Sequence, residues 1–301
     1  MAYKLDLNTA ENLRVHITQA QEKRIEQMYK QISREIKAEM RRLPPNTSGS
    51  LRGVYLRRLQ KQIDEQLHGL QKGLEDNILS SMTDVADAVV EDNLRFLYYI
   101  DMPIQGAFSH VPKDVVESII SGQVYQGNWS LSQALWQNTQ KARDDINAVI
   151  AQGVAQNKSA YDIAKDLEKY VNPSAKKSWD WNKVYPGTAK KVDYNAQRLA
   201  RTMVSHAYQQ SFVRTTQKNP FVSKYKWNSS NSGRMCDLCE SRDGVLFEKD
   251  DLPMDHPNGM CTYTAVMEDS MVDIADRVAD WATGKQADPE LDVYYEFLKN
   301  S

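Results

Sequence analysis

The sequence predicts a mainly α-helical protein, with an extended helical N-terminal part and a small α+β module near the C-terminus. Three observations carry this reading. Apolar residues recur in steps of three or four through most of residues 1–100. Prolines and glycines then divide the chain into shorter helical lengths. Finally, all three cysteines lie between Cys236 and Cys261, with one of the five histidines among them.

The elements follow in order. Asn8-Thr-Ala-Glu11 has the pattern of a capping box, and Ile25, Met28, Ile32, Ile36, Met40 and Leu43 continue one apolar stripe. The stretch from Leu43 to Ser50 contains two prolines and a glycine, which end that helix. A second stripe runs Leu56, Leu59, Ile63, Leu67, Leu70, Leu74 and Ile78, and extends through Met82, Val85 and Val89 towards Leu97. A helix of about 45 residues would span on the order of 65 Å at 1.5 Å per residue, more than a compact domain requires. Two such helices suit an antiparallel hairpin, or an oligomer formed through the N-terminal helices. Shorter helices are expected at Lys113–Ile120 after Pro112, at Ser130–Gln156, and at Ser159–Val171 with its Ser-x-x-Asp cap. The loop-like Val171–Thr188 sets the domain division, residues 1–173 against 174–301. Beyond it come a helix at about Ala189–Gln217, a strand-like segment Pro220–Trp227, the cysteine region, and two acidic helices around Met267–Thr283 and Pro289–Lys299.

Composition narrows the function classes. No apolar run approaches the roughly 20 residues of a membrane span, so no membrane association is expected. No apolar leader opens the chain, and three cysteines do not make a disulfide framework, so a reducing intracellular setting is expected. The net charge of −2 conceals an asymmetry. Residues 174–234 hold twelve Lys or Arg against two Asp, whereas residues 235–301 hold five against sixteen Asp or Glu. The basic stretch is interleaved with aromatics, among them Tyr208, Phe212, Phe221, Tyr225 and Trp227. Two readings stand for it. Lys190, Lys191, Arg198, Arg201, Arg214 and Lys218 contact nucleic acid or a partner, with aromatics stacking on bases. Alternatively, the basic helix packs beside the acidic helices and neutralises them within one domain.

The cysteine region carries the sharpest chemical signal. Cys236 and Cys239 form a Cys-x-x-Cys knuckle that presents two thiolates to one metal ion. His256 and Cys261, returned across a loop or hairpin, complete four donors, and thiolates with one imidazole favour zinc. Asp243-Gly244 followed by Val245, Leu246 and Phe247 reads as a hairpin arm between the two pairs. A redox role expects a βαβ context that is missing here. A catalytic zinc keeps a position for water, whereas these residues fill the shell, so the zinc is expected to be structural. A zinc-dependent nuclease or hydrolase with Asp243, Glu248 or Asp255 as base is the alternative, and a stand-alone nucleic-acid-binding module is another.

At these residues the sequence resembles the phage head morphogenesis (Mu F-like) minor capsid proteins. The elements are "LARTMVSHAY" (Leu199–Tyr208), Trp227, "CDLC", "DGVLF" and "HPNGMC", in that order, over residues 190–265. Two positions depart from the family pattern: Gly259 stands where a cysteine is common, and Asn231 where an acidic residue is frequent. The resemblance implies a minor head component of a tailed phage or prophage, without catalysis. It would sit in the head interior or at the portal vertex of the virion, and in host cytoplasm during assembly. Its implied partners are the portal protein, capsid and scaffold proteins, and viral double-stranded DNA. Trp227 is expected to cover the core of the zinc-stabilised module, and His206 to pack within the fold.

Overall fold

A computed structural model describes residues 9–42, 49–104, 106–125, 127–172, 193–230 and 235–301. Two compact units are built from interleaved stretches of chain. One comprises Met1–Thr18, Leu79–Asn128 and Arg201–Ser301, the other Gln19–Ile78 and Trp129–Ala200. The boundary expected between residues 173 and 174 falls outside the described residues.

The second of these units is a helical assembly. It takes most of α1 (Thr9–Met40), the first part of α2 (Gly49–Tyr99), α4 (Leu131–Ala155) and α5 (Ala160–Val171). α1 and α2 run antiparallel, since Glu39 lies beside Arg58 whereas Met28 lies beside Gly73. All seven residues of the Leu56–Ile78 stripe are buried, as are Ile25, Ile32 and Ile36. Met28 and Met40 are only half-buried, and Tyr29 takes the intervening core position. Polar bonds tie the shorter helices to this hairpin. Ser33 donates to Glu168 at 2.7 Å, and Arg143 pairs with Asp64 at 3.1 Å. Between α4 and α5, the buried Tyr170 hydroxyl donates to Asp145 at 2.6 Å. The cap expected at Ser159 is in place, accepting the N–H of Asp162, and Ser130 forms a full capping box that the sequence reading did not name; Asn8 of the first expected box lies outside the described residues.

The other unit surrounds a small antiparallel sheet. Its strands are β1 (Lys224–Asn228), β2 (Leu246–Phe247) and β3 (Thr262–Val266), in the order β2-β1-β3. β3 is a correction to the sequence reading, which expected only a loop or hairpin returning the last donors. Thr262 and Tyr263 are both buried, so the alternation that marks a half-buried strand is broken. α6 (Tyr194–Thr216) enters this unit at Arg201 and packs against the later part of α2, where Val85 and Val89 meet Val204 and Tyr208. At the start of α1 the N–H of Ala10, which has no partner within the helix, donates to the buried Asp92 carboxylate at 2.8 Å.

α3 (Val111–Ile120) begins with Pro112 in its first turn, as expected. The chain closes with α8 (Met271–Ala282) and α9 (Pro289–Asn300). The acidic helices draw much of their neutralisation from their own cations. Arg277 makes two bonds to Asp288, at 2.6 and 3.1 Å, and one to Glu290, while Lys285 pairs with Asp280. The Arg277 guanidinium holds the Asp288 carboxyl below its ordinary range, and Asp288 also caps α9. Ser301 accepts the backbone N–H of Phe108 and of His110, which docks the end of α9 beside α3.

Gly153 of α4 supplies a test of packing in the helical unit. A β-carbon there would stand 2.6 Å from Cγ1 of Ile163, itself fully buried in α5. Alanine favours a helix by about 1 kcal/mol over glycine, yet overpacking costs about 1–3 kcal/mol. Gly153→Ala is expected to lower the thermal melting midpoint, and an unchanged or raised midpoint would contradict the close α4–α5 contact.

Candidate metal centre

The centre is assembled where β1, a single-turn helix and a loop converge. α7 (Asp237–Arg242) begins at Cys236, and one turn brings Cys239 to the same side. Cys261 directly precedes β3, whose pairing with β1 (Asn228 opposite Thr262, Trp227 opposite Tyr263) fixes its position. Beneath them lies an apolar floor. Trp227 is fully buried and packs with Cys239, Cys261 and Tyr263, with Phe212, Phe247 and Leu252 at the edge. The Arg242 guanidinium lies over the Trp227 ring, 5.1 Å from its centre.

The four expected donors gather in two overlapping sets. Cys236, Cys239 and His256 form one, and Cys239, Asp255 and Cys261 form the other, so Cys239 is common to both. His256 Nε2 is 3.2 Å from Cys236 Sγ and 3.1 Å from Cys239 Sγ, and Cys261 Sγ is 3.4 Å from Cys239 Sγ. The imidazole is oriented for ligation. Its Nδ1 lies 3.0 Å from the Pro257 carbonyl, which can only accept, so the proton resides there and Nε2 turns its lone pair to the thiols.

Electrostatics differ between the thiols. The Cys239 N–H and thiol, with His256 nearby, lower the Cys236 pKa, whereas burial beside Cys261 and Cys236 raises that of Cys239. The Pro257 carbonyl, followed by the Asp255 carboxylate and Cys236, raises the pKa of His256. Asp255 is the member of the cluster that the metal-ligand reading omitted. It is buried, with Oδ1 accepting the N–H of His256 and Oδ2 that of Cys261, each at 2.9 Å.

One face of α6 holds the loop that carries these residues. Arg201 bonds Asn258 Oδ1, Thr202 accepts the N–H of Asn258 at 2.8 Å, and Ser205 donates to the Gly259 carbonyl at 2.9 Å. His206 Nε2 lies 3.1 Å from the Asp255 carbonyl, and its Nδ1 is 2.9 Å from the Tyr125 hydroxyl. The carbonyl must be the acceptor, so Nε2 carries the proton and Tyr125 donates to Nδ1. Burial lowers the His206 pKa, which favours this neutral form. Gln209 accepts the N–H of Asp255 at 3.1 Å and donates to the Cys261 carbonyl at 3.4 Å. Across the loop, the buried Arg14 donates to the carbonyls of Met260 and Cys261, at 2.9 and 3.4 Å, and to Ser205. Sequence reading missed Arg14, Thr202, Ser205 and Gln209 as site residues. The available signal was a run of polar side chains at helical spacing within a helix whose apolar positions are also core residues.

The candidate contact residues separate. Lys190 and Lys191 lie outside the described residues, Arg198 is on the exposed side of α6 within the helical unit, and Lys218 is exposed in the turn after α6. Arg201 serves the loop, and Arg214 donates to Ser118 at 3.0 Å. Tyr208, Phe221, Tyr225 and Trp227 are buried, which removes them from any stacking on bases. The carboxylates named for hydrolysis are engaged too: Asp243 accepts the N–H of Ser229, and Glu248 pairs with Lys224 at 2.7 Å.

Arg14 offers a test of this support. Arg14→Met keeps most of the volume but leaves the Met260 and Cys261 carbonyls short of a donor, at a cost of about 1–3 kcal/mol. A lower urea midpoint, followed by near-ultraviolet circular dichroism, is expected. A midpoint equal to the parent's would show that these bonds contribute nothing.

No curated protein and no solved structure matches the chain. A family model does match, over a segment that runs from α4 into β3 and takes in all four expected donors. Residues 144–263 match the phage Mu protein F like protein family, in agreement with the resemblance read from the cysteine region.

Proposed function

We propose that this chain is a minor head morphogenesis protein of a tailed phage or prophage, and that Cys236, Cys239, His256 and Cys261 hold a structural zinc ion. The observation that carries the proposal is the family match at residues 144–263, which contains every donor and the α6 face that supports them. The donor set fits the ion chemically. Zinc bonds of about 2.3 Å to sulfur and 2.0 Å to nitrogen set a sulfur and a nitrogen sharing one tetrahedral ion roughly 3.5 Å apart, and two sulfurs roughly 3.8 Å apart. The separations of 3.1 and 3.2 Å from His256 to the two thiols and of 3.4 Å between Cys239 and Cys261 each fall a few tenths of an ångström below that spacing, and Cys261 joins the set through Cys239. Three thiolates and an imidazole complete a four-donor shell, and the bound ion would supply a cross-link between α7 and the loop before β3.

The portal protein and the capsid or scaffold proteins are the partners this reading assigns, with packaged double-stranded DNA as a further contact. The reading favours a structural role over hydrolysis because Asp255 and Asp243 accept backbone N–H groups within the module, while Glu248 makes an exposed pair with Lys224. It also relies less on DNA than the charge pattern suggested, since Arg201 and Arg214 bond within the chain.

Two experiments test it. Purified protein is expected to carry about one zinc per chain, and Cys236→Ser to lose the ion and lower the melting midpoint. A metal-free parent that melts like the isolated protein would remove the zinc. Tagged chain recovered from phage-producing cells is expected to bring portal and capsid subunits above an untagged control. Recovery without them, while both are abundant in the lysate, would overturn the assembly role.

A further inference from the structure

We propose that Asp255 is a positioning residue of the metal loop, acting through its carboxylate on the backbone of two donors, and that Gly259 is the clearance this carboxylate requires. The inference rests on the metal reading above and deepens it.

Three observations place Asp255 in this role. Its two oxygens are divided between the N–H groups of His256 and Cys261, so one side chain ties together the backbone of donors five positions apart. Its own backbone is fixed from α6: Gln209 accepts its N–H, and His206 donates to its carbonyl. The carboxylate is therefore held from behind and reaches forward to the donors. The third observation is steric. A β-carbon at position 259 would come closer than 3.0 Å to both carboxylate oxygens and to their carbon, all within the same loop. An intact Asp255 carboxylate and any side chain at 259 thus compete for one volume. The loop bends tightly enough to need this, with Gly259 N–H bonded to the His256 carbonyl.

The geometry assigns positioning in preference to ligation. Asp255 Oδ1 is 3.9 Å from His256 Nε2 and 4.0 Å from Cys239 Sγ, near the donors but farther than the 3.1, 3.2 and 3.4 Å contacts His256 and Cys261 make with the thiols. Each oxygen already accepts an amide hydrogen, and the buried Arg14 cation stands among the groups that act on it electrostatically. Carboxylates of this kind orient ligands without joining them.

The test uses the full chain and cobalt(II) as the probe, with affinity measured by competition against a chromophoric chelator. Asp255→Asn keeps the volume and one acceptor oxygen but loses the other. It is expected to weaken cobalt binding roughly 10- to 100-fold while leaving the thiolate-to-cobalt absorption per bound ion unchanged. Gly259→Ala is expected to cause a comparable loss. In the Asp255→Ala background the space is empty, so adding Gly259→Ala should cost little more, a non-additive pair. Parent-like affinity in either Asp255→Asn or Gly259→Ala would overturn the proposal, as would multiplying losses in the double variant. A cobalt spectrum altered by Asp255→Asn would instead make Asp255 a ligand and overturn the positioning role. A parent chain that binds no cobalt or zinc would remove the metal reading itself. The loop-holding role is then read from metal-free melting midpoints of the same proteins, where non-additive losses support it and additive ones contradict it.

Discussion

The module depends on a set of hydrogen bonds between one helix face and one loop. Thr202, Ser205, His206 and Gln209 follow each other on α6 at steps of three, one and three, and each bonds the backbone of residues 255–261. A buried loop leaves backbone donors and acceptors that cannot reach water, and each unsatisfied group costs about 1–3 kcal/mol. α6 meets that demand with side chains, and Arg14 of α1 meets it with a cation that also bonds Ser205 of α6. Once the loop is held in this way, His256 lies against Cys236 and Cys239, and Cys261 lies against Cys239. The proposed ion would then bind a largely prepared site instead of ordering an open chain.

The α6 face and the loop it bonds lie in one matched segment. The family match begins in α4 and reaches β3, so it takes in both the supporting helix and the loop. The aromatic floor serves the same end. Trp227, Tyr263 and Phe212 exclude water beneath Cys239 and Cys261, and ring contacts of 5.1 Å between Trp227 and Tyr263 and 6.0 Å between Phe212 and Tyr263 keep the strands in register against α6.

Much of the helical architecture was legible in the sequence because burial there follows the 3.6-residue period. Leu56 through Ile78 were all assignable to one face, and all are buried. The cap at Ser159 was equally readable, since a cap is a local event within four residues. Cysteine spacing likewise pointed to Cys236, Cys239, His256 and Cys261, which fall in two overlapping clusters that share Cys239. What stayed hidden was long-range. Asp255 looked like one acid among many in an acidic stretch, and its partners at Gln209 and His206 lie 46 and 49 positions away. β3 lacked a clean alternation, and the single turn of α7 was too short to carry a periodic signal. The basic stretch could not be apportioned from composition, since net charge counts residues without showing that Arg201 bonds Asn258 or that Arg214 bonds Ser118.

The central claim is that the four donors close a sulfur-rich shell whose purpose is the fold of the module. X-ray absorption at the zinc edge of the purified chain tests it most directly. The account predicts a shell of three sulfur and one nitrogen neighbour, near 2.3 and 2.0 Å respectively. A shell containing oxygen from water or a carboxylate, or one with only two sulfur neighbours, would contradict it and return the centre to metal-assisted chemistry.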